Sequence, residues 1–245
     1  MTFPRVKELP YLTTEQMREV DRAMIEDYGI QLMQMMENAG RALAHLARIR
    51  FLNGDPGGKR MVVLSGTGGN GGGALASARR LHNYGATVHV VTTKEDEAFA
   101  PVPRQQLDIL RRMGVTISEA QMVREAGAID LIIDGLIGYS LRGAPRGLAA
   151  SLIRWANNQE APILALDTPS GLETTSGTVL EPAIQATATL TLALPKEGLR
   201  TSGADAYVGE LYLADISVPP DLYARPPLNL TVGPIFAIDD IVRLR

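Results

Sequence analysis

The sequence predicts one α/β domain over residues 1–245, a three-layer α/β/α Rossmann-like sandwich with a mostly parallel central sheet. Three observations lead to this prediction. Short apolar or β-branched runs alternate with longer amphipathic stretches from Met61 onward. The 245 residues can bury one sizeable core, and no Pro- or Ser-rich linker divides them. Finally, a glycine cluster follows the first strand-like run and leads into an alanine-rich helical stretch.

Each element follows from a local pattern. Thr13 or Thr14 can cap a first helix with apolar residues on one face, and a second helix is predicted over about 31–51. Strands are then predicted at 61–65, 87–92, near 115, 130–134 and 163–167. The helices between them are predicted at 72–84, 103–113, 119–125 and 148–158. Two further strands are predicted at 186–194 and 209–214, because both segments are rich in strand-forming residues.

The composition excludes several classes of protein. A formal net charge of -3, a pI near 5.7 and scattered arginines argue against a nucleic-acid partner bound through bulk electrostatics. The absence of cysteine excludes disulfides and thiolate metal sites. The N-terminus lacks the apolar core of a signal peptide, and Asp130 and Asp134 interrupt the most apolar stretch. We therefore expect a cytoplasmic protein without a membrane segment.

The glycine cluster is the strongest local signal for a ligand. Gly66, Gly68 and Gly71 satisfy the G-x-G-x-x-G spacing, and glycines at positive φ would let backbone N–H groups approach a phosphate. A dinucleotide-binding domain also needs an acid at the end of its second strand. Here the predicted strand 87–92 is followed by Thr93 and Lys94, and Glu95 lies beyond the expected position. An ordinary NAD-dependent oxidoreductase is therefore disfavoured. A purely structural connection between strand and helix stays open as an alternative.

Two aspartates extend this signal to neighbouring strand ends. Asp134 follows the run LII, and Asp167 follows ILAL. Ligands of open α/β sheets bind beyond the carboxyl ends of the strands, where both carboxylates and the glycine cluster should meet. An aspartate by itself commonly ends a strand or caps a helix. The three features together favour a ligand-binding cleft.

Five ordered motifs resemble the YjeF N-terminal domain family, whose best understood members are NAD(P)H-hydrate epimerases. The motifs are MENAG at 36–40, the strand and glycine loop at 62–75, D-x-L-x-G at 134–138, D-x-P-S-G at 167–171 and P-K-x-G at 195–198. The resemblance covers about residues 12–219. It implies an isomerase of metabolite repair that interconverts the R and S epimers of hydrated NADH or NADPH.

The resemblance also implies a bound potassium ion and a set of substrate contacts. The family's potassium ligands match Asn70, Asp134 and Ser170. Amide, hydroxyl and carboxylate oxygens with one formal charge suit a monovalent cation better than calcium. The implied substrate-binding residues are Gly69, Asn70, Gly71, Gly72 and Gly73 in the glycine loop, Gly138, Tyr139, Ser140, Leu141, Arg142, Gly143 and Ala144 in a phosphate loop, and Asp167.

Asp167 and Lys196 are the candidate catalytic residues. The hydrated ring carbon is inverted by ring opening or by loss of hydroxide, and one carboxylate that takes and returns a hydroxyl proton suffices as base and acid. Asp167 is the candidate for this group. Lys196 can supply positive charge to a phosphate or an oxyanion, although a lysine in a turn is commonly solvated. Asn38 either lines the pocket or bonds a neighbouring backbone group.

Two departures from the family keep a second interpretation open. The family usually has Asn and Asp where this chain has Gly69 and Gly73, and its phosphate loop more often begins G-x-G. The alternative is a catalytically degenerate domain that serves as a nucleotide-binding or interaction module. The resemblance leaves a homodimer open and implies a separate dehydratase protein in the same pathway.

Overall fold

The structure, a computed structural model, describes residues 3–119 and 128–245. Its strands are β1 (Arg60–Ser65), β2 (Thr87–Thr92), β3 (Thr116–Glu119), β4 (Leu131–Gly135), β5 (Ile163–Leu166), β6 (Ala188–Leu192), β7 (Glu210–Ala214) and β8 (Ile241–Arg243). Its α-helices are α1 (Thr14–Glu26), α2 (Leu32–Leu46), α3 (Gly69–Asn83), α4 (Pro101–Arg112), α5 (Gly147–Asn157), α6 (Asp205–Val208) and α7 (Pro220–Ala224).

The eight strands form one sheet in the order β3-β2-β1-β4-β5-β6-β7-β8. Neighbouring strands are parallel except β7 and β8, which are antiparallel. The chain builds outward from β1 in one direction and from β4 in the other, so the strand order reverses between them. Such a reversal leaves a crevice beyond the carboxyl ends of the two central strands, which is where α/β domains bind ligands.

Helices cover both faces of the sheet, as the three-layer prediction requires. In β1, Met61 and Val63 join the core cluster that contains residues of α2, α3 and α4. Val62 and Leu64 point to the other face and pack in a cluster with Leu152 and other residues of α5. A strand buried on both faces is apolar at nearly every position, which explains the continuous run in the sequence.

The predicted elements are found with shifted ends. The second helix ends at Leu46 and continues as a π-helical turn over Ala47–Phe51. Helix α3 begins at Gly69 rather than at 72, so much of the predicted glycine loop lies in its first turns. The helix expected at 119–125 falls outside the described residues except for Glu119, which ends β3. The short elements β8, α6 and α7 were not predicted.

The segment before α1 lies against the loop that follows β6. The Leu12 N–H donates to the Pro195 carbonyl (2.8 Å), and the Glu197 N–H donates to the Leu12 carbonyl (2.9 Å). Thr13 then caps α1 through a capping box with Gln16. This pairing fixes where α1 begins, and therefore which of its residues face the crevice.

We find no helix in 3–119 or 128–245 that has both the length and the apolar character needed to span a bilayer.

Candidate functional site

A cavity of about 560 Å³ lies at the carboxyl ends of β1, β4 and β5, where the strand order reverses. One part of its wall comes from the start of α3 and from Gly138, Tyr139 and Ser140 after β4. Asp167 lines it from the end of β5, and α1 and α2 complete it with mostly apolar side chains. The cavity therefore combines an apolar wall with a few polar groups, which is typical of small-molecule sites.

The glycines at this point are required mainly by close backbone approach. A Cβ atom on Gly66 would lie 2.0 Å from the Leu136 carbonyl oxygen, and one on Gly71 would lie 1.9 Å from the Gly66 carbonyl oxygen. The expectation of positive φ here is wrong, because the left-handed glycines of the described chain lie elsewhere. Glycine at these positions allows the end of β1 to pack against the end of β4 and the start of α3.

The other glycines of the cluster differ in their surroundings. Gly69 has open space, with Met36 Cε 3.9 Å from a Cβ built on it. Gly72 packs against Met36 and Pro103 rather than on the cavity. Gly73 lines the cavity, but its Cβ would lie 2.8 Å from Leu166 Cδ2, so a carboxylate there requires Leu166 to move. The free N–H groups in the first turn of α3 favour an anion at this end of the cavity.

Asp134 and Ser170 form a buried hydrogen-bonded pair beneath the loop that follows β4. Asp134 accepts from the Ser170 N–H (2.8 Å), the Ser170 hydroxyl (2.7 Å) and the Leu136 N–H (3.1 Å). Burial raises the pKa of Asp134 to about 6, and these hydrogen bonds oppose the rise. In the described ranges no lysine, arginine or histidine pairs with this carboxylate. Its position suits a cation held mostly by neutral groups.

Asn70 lies in the cavity wall close to the loop after β4. A Cβ atom on Gly138 would lie 3.3 Å from Asn70 Cγ. The Asn70 side-chain nitrogen is buried and has no hydrogen-bond partner among the residues described. The amide can equally present its oxygen at this position. No group of three His, Cys, Asp or Glu side chains gathers anywhere in the described part of the chain, so a conventional divalent-metal cluster is absent there.

Asp167 holds an unusual backbone conformation directly after β5. Its φ of 66° lies in the left-handed region that residues other than glycine rarely adopt. Its N–H donates to the Leu190 carbonyl at 2.7 Å, which anchors the turn to β6. Backbone strain of this kind is found preferentially at ligand sites, where it directs a side chain.

Lys196 is buried completely and holds the Asp167 carboxylate. Its ammonium donates to Asp167 Oδ1, to the Thr191 hydroxyl (3.2 Å) and to the Leu192 carbonyl (2.9 Å). An ammonium group has three protons, so these three acceptors use all of them. The geometry therefore gives Lys196 the role of positioning Asp167 and leaves it no donor for a substrate phosphate.

Asp21, which sequence reasoning missed, lines the cavity from α1 and pairs with Tyr139, one of the predicted substrate-binding residues. Asp21 accepts a hydrogen bond from the Tyr139 hydroxyl, and both residues face the cavity. Burial raises the pKa of Asp21, and burial together with Asp21 raises the pKa of Tyr139. A signal was present in the sequence: Asp21 lies one helical turn from both Met17 and Met24, so a carboxylate interrupts the apolar face of α1.

The remaining candidates lie away from the cavity wall. Leu141, Arg142, Gly143 and Ala144 are not among the residues that line it, and their predicted contact with a substrate phosphate stays a prediction. The Asn38 amide donates to the Ser217 hydroxyl at 3.2 Å. The histidines, for which no chemistry was predicted, are His45, His82 and His89; His45 contacts Arg48 and His89 contacts Ser118.

The chain is similar to proteins of one family over most of its length. The family model described as YjeF-related protein N-terminus matches residues 32–198. The NAD(P)H-hydrate epimerase of Dehalogenimonas lykanthroporepellens is 42% identical over 227 residues, which cover 92% of this chain and 89% of the relative. The bifunctional NAD(P)H-hydrate repair enzyme Nnr of Salinibacter ruber is 36% identical over 230 residues, or 88% of this chain and 42% of the relative. The chain thus spans less than half of the bifunctional protein.

A solved structure confirms the fold. The crystal structure of yeast ynu0, YNL200c superposes with a TM-score of 0.82 and covers 96% of this chain and 100% of that chain, at 22% sequence identity. The family match spans α2 through the loop that carries Lys196, and all five sequence motifs lie within it. The chain belongs to the YjeF-related N-terminal family.

Proposed function

We propose that the protein is an NAD(P)H-hydrate epimerase that interconverts the R and S epimers of hydrated NADH and NADPH. The observation that carries the proposal is Asp167, a carboxylate in a left-handed turn that is held by a buried lysine at the wall of the cavity. The names of the similar proteins from Dehalogenimonas lykanthroporepellens and Salinibacter ruber support the same reaction.

Asp167 supplies the proton transfer that epimerisation needs. The substrate carries a hydroxyl on the ring carbon beside the nitrogen, and inversion of this carbon requires a group that takes and returns a proton. Lys196 fixes Asp167 Oδ1, while Asp167 Oδ2 has no hydrogen-bond partner within the described residues. Asp167 Oδ2 is therefore the atom that we assign to the substrate hydroxyl.

The start of α3 suits the phosphate part of a nucleotide. Gly68, Gly69 and Asn70 line the cavity where α3 begins, and the free N–H groups of a first helical turn bind anions. The segment Gly138–Ser140 faces the same space from β4. This arrangement supports a substrate orientation with the phosphates toward α3 and the hydrated ring toward Asp167.

We also propose that Asn70, Asp134 and Ser170 hold a potassium ion. The support is a fully buried carboxylate that no cationic side chain neutralises in the described ranges, next to a buried amide that lacks a partner. A bound monovalent cation would balance the charge of Asp134 and stiffen the loop between β4 and the cavity.

Potassium is expected to raise the melting temperature of the protein. At a tenfold excess over its dissociation constant, a bound ion stabilises by about 1.4 kcal/mol, or roughly 3–6 °C for a chain of this size. The measurement compares melting in potassium chloride and lithium chloride at equal ionic strength. Asn70→Ala should abolish the difference, whereas Asn83→Ala, at the exposed end of the same helix, should keep it. Equal melting temperatures of the parent protein in both salts would contradict the ion site.

The epimerase reaction itself is tested on the purified protein. Mixed with a single epimer of hydrated NADPH, the protein should interconvert the epimers faster than they interconvert spontaneously. The rate is followed by chromatographic separation of the two epimers, and parallel samples with hydrated NADH give the preference between the cofactors. A folded protein that leaves the spontaneous rate unchanged would instead favour the nucleotide-binding or interaction module.

The proposed function also implies partners and a location for the protein. The family resemblance implies a dehydratase in the same pathway, and we infer that it is a separate protein and that both proteins act in the cytoplasm. Association of two copies of this chain as a homodimer stays a prediction from the family resemblance.

A further inference from the structure

We propose that Asp21 is a second catalytic carboxyl group, an acid that acts with Asp167 to move the hydroxyl from one face of the substrate ring to the other. The inference rests on the proposed epimerase function and deepens it. It assigns to the reaction the route in which the hydroxyl leaves as water and a second water replaces it. This route needs an acid as well as a base.

The two aspartates line the same cavity. Asp21 reaches it from α1 and Asp167 from the end of β5. One oxygen of each carboxyl group is held by the protein: Asp21 Oδ2 by the Tyr139 hydroxyl and Asp167 Oδ1 by the Lys196 ammonium. The other oxygen of each group has no hydrogen-bond partner in the described chain. Each aspartate therefore keeps one oxygen for a ligand.

The surroundings of the two groups differ in charge. A cation holds Asp167, whereas a neutral hydroxyl holds Asp21. The pKa of Asp21 is raised chiefly by burial and also by the Asp167 carboxylate, while Tyr139 and Lys196 oppose the rise. Two further titratable groups lie nearby: the charge of Arg18 lowers the pKa of Tyr139, and the Asp21 carboxylate contributes to the raised pKa of Tyr223. Neighbouring carboxyl groups in unequal environments are the usual arrangement for a separate acid and base.

Tyr139 also determines which oxygen of Asp21 carries the proton. Its hydroxyl donates to Oδ2, so a proton on the neutral Asp21 resides on Oδ1. Asp21 Oδ1 is the oxygen without a protein partner among the described residues. The acid proton is thus available to the cavity.

The reaction follows in two balanced steps. Asp21 gives its proton to the substrate hydroxyl, the C–O bond breaks with its electron pair on oxygen, and water leaves as the ring nitrogen forms a C=N bond. A second water then attacks the same carbon from the other face, and Asp167 takes its proton. The new C–O bond forms, and the C=N electron pair returns to the nitrogen. One proton has moved from Asp21 to Asp167, and exchange with solvent or a turnover in reverse restores it.

The test measures epimerisation in water enriched in oxygen-18. The parent protein should introduce one solvent oxygen for each inverted substrate. Asp21→Asn should lower the rate by roughly 100-fold or more, the usual scale for losing a general acid, while NADPH binding and the melting temperature persist. Asp27→Asn, the same change at the exposed end of α1, should leave the rate unchanged.

The outcomes separate this inference from the proposed function. An active parent protein whose product keeps its original oxygen would overturn the route through water. An active parent with a near-normal Asp21→Asn variant would remove Asp21 from the reaction. A folded parent that does not epimerise the substrate would overturn the proposed function, and this inference with it.

The pH dependence of kcat/KM distinguishes a catalytic Asp21 from an Asp21 that has only a structural role. The Tyr139 hydrogen bond lowers the pKa of Asp21, so Tyr139→Phe should raise that pKa further. Asp21 would then stay protonated to higher pH, and the alkaline limb of kcat/KM should shift upward. An active Tyr139→Phe variant with an unshifted alkaline limb would contradict Asp21 as the acid.

Discussion

Asp167→Asn is expected to lower turnover by 100-fold or more and the free energy of unfolding by about 3–5 kcal/mol. The loss of turnover follows from the missing base. The loss of stability follows because Lys196 is fully buried, and removal of its carboxylate leaves an ammonium group without a counter-charge. Asparagine tolerates the left-handed backbone that Asp167 adopts, so strain does not confound the result. Urea unfolding and the epimerisation rate, measured on one preparation, report both effects.

The double variant Asp167→Asn/Lys196→Met separates the two roles of the pair. Methionine fills much of the volume of the lysine stem without its charge, so the double variant should recover most of the lost stability. Its turnover should stay as low as that of Asp167→Asn. If Asp167 has only a structural role, the single variant should lose the same stability but keep near-normal turnover, which would remove Asp167 from the mechanism.

Gly71→Ala is expected to lower the free energy of unfolding by about 3 kcal/mol or more, at or beyond the upper end of ordinary overpacking costs. The added Cβ would lie 1.9 Å from the Gly66 carbonyl oxygen, and a backbone atom cannot rotate away as a side chain can. Gly66 is itself fixed, because its N–H donates to the Gly135 carbonyl at 3.0 Å. Chemical denaturation of the variant measures the loss directly.

Gly69→Ala is the matched control for this prediction. It lies in the same cluster and the same helix, but the nearest atom to its Cβ is Met36 Cε at 3.9 Å. Alanine should be tolerated there and even gain up to about 1 kcal/mol from its higher helix propensity. Similar losses in the two variants would show that close approach is not the reason for glycine at position 71.

The fold could be predicted because the patterns that specify its strands and helices are visible within short segments of the sequence. Strands such as β1 are apolar on both faces, and their alternation with amphipathic helices is visible in the sequence. Asp134 and Asp167 were both predicted to face the cleft because each follows such a strand. Asp167 lines the cavity, whereas Asp134 is buried and bonded to Ser170. The three-residue strand β8 was missed, since its short segment carries too few residues for a period to show.

The chemistry of the site depends on contacts between distant residues, which the sequence does not show. A lysine in a turn is expected in solvent, yet Lys196 is buried and its ammonium reaches Asp167, 29 residues earlier in the chain. Its other two acceptors, Thr191 and Leu192, lie nearby at the end of β6. Asp21 is recognised only when α1 and Tyr139 are seen to meet. The spacing of the glycines was visible, but which of them pack against backbone depends on how β1, β4 and α3 approach.

The backbone pairing between Leu12 and the loop that carries Lys196, which we call the Leu12 clasp, joins the segment before α1 to the site. If this clasp opened, water would reach the ammonium, and the attraction that orients Asp167 would weaken in the higher dielectric. Helix α1 follows the clasp directly, so Asp21 would move away from Asp167 in the same event. The family match begins at residue 32, so it includes neither Leu12 nor α1. A truncation made at residue 32 would therefore remove Asp21 and expose the Asp167–Lys196 pair to water.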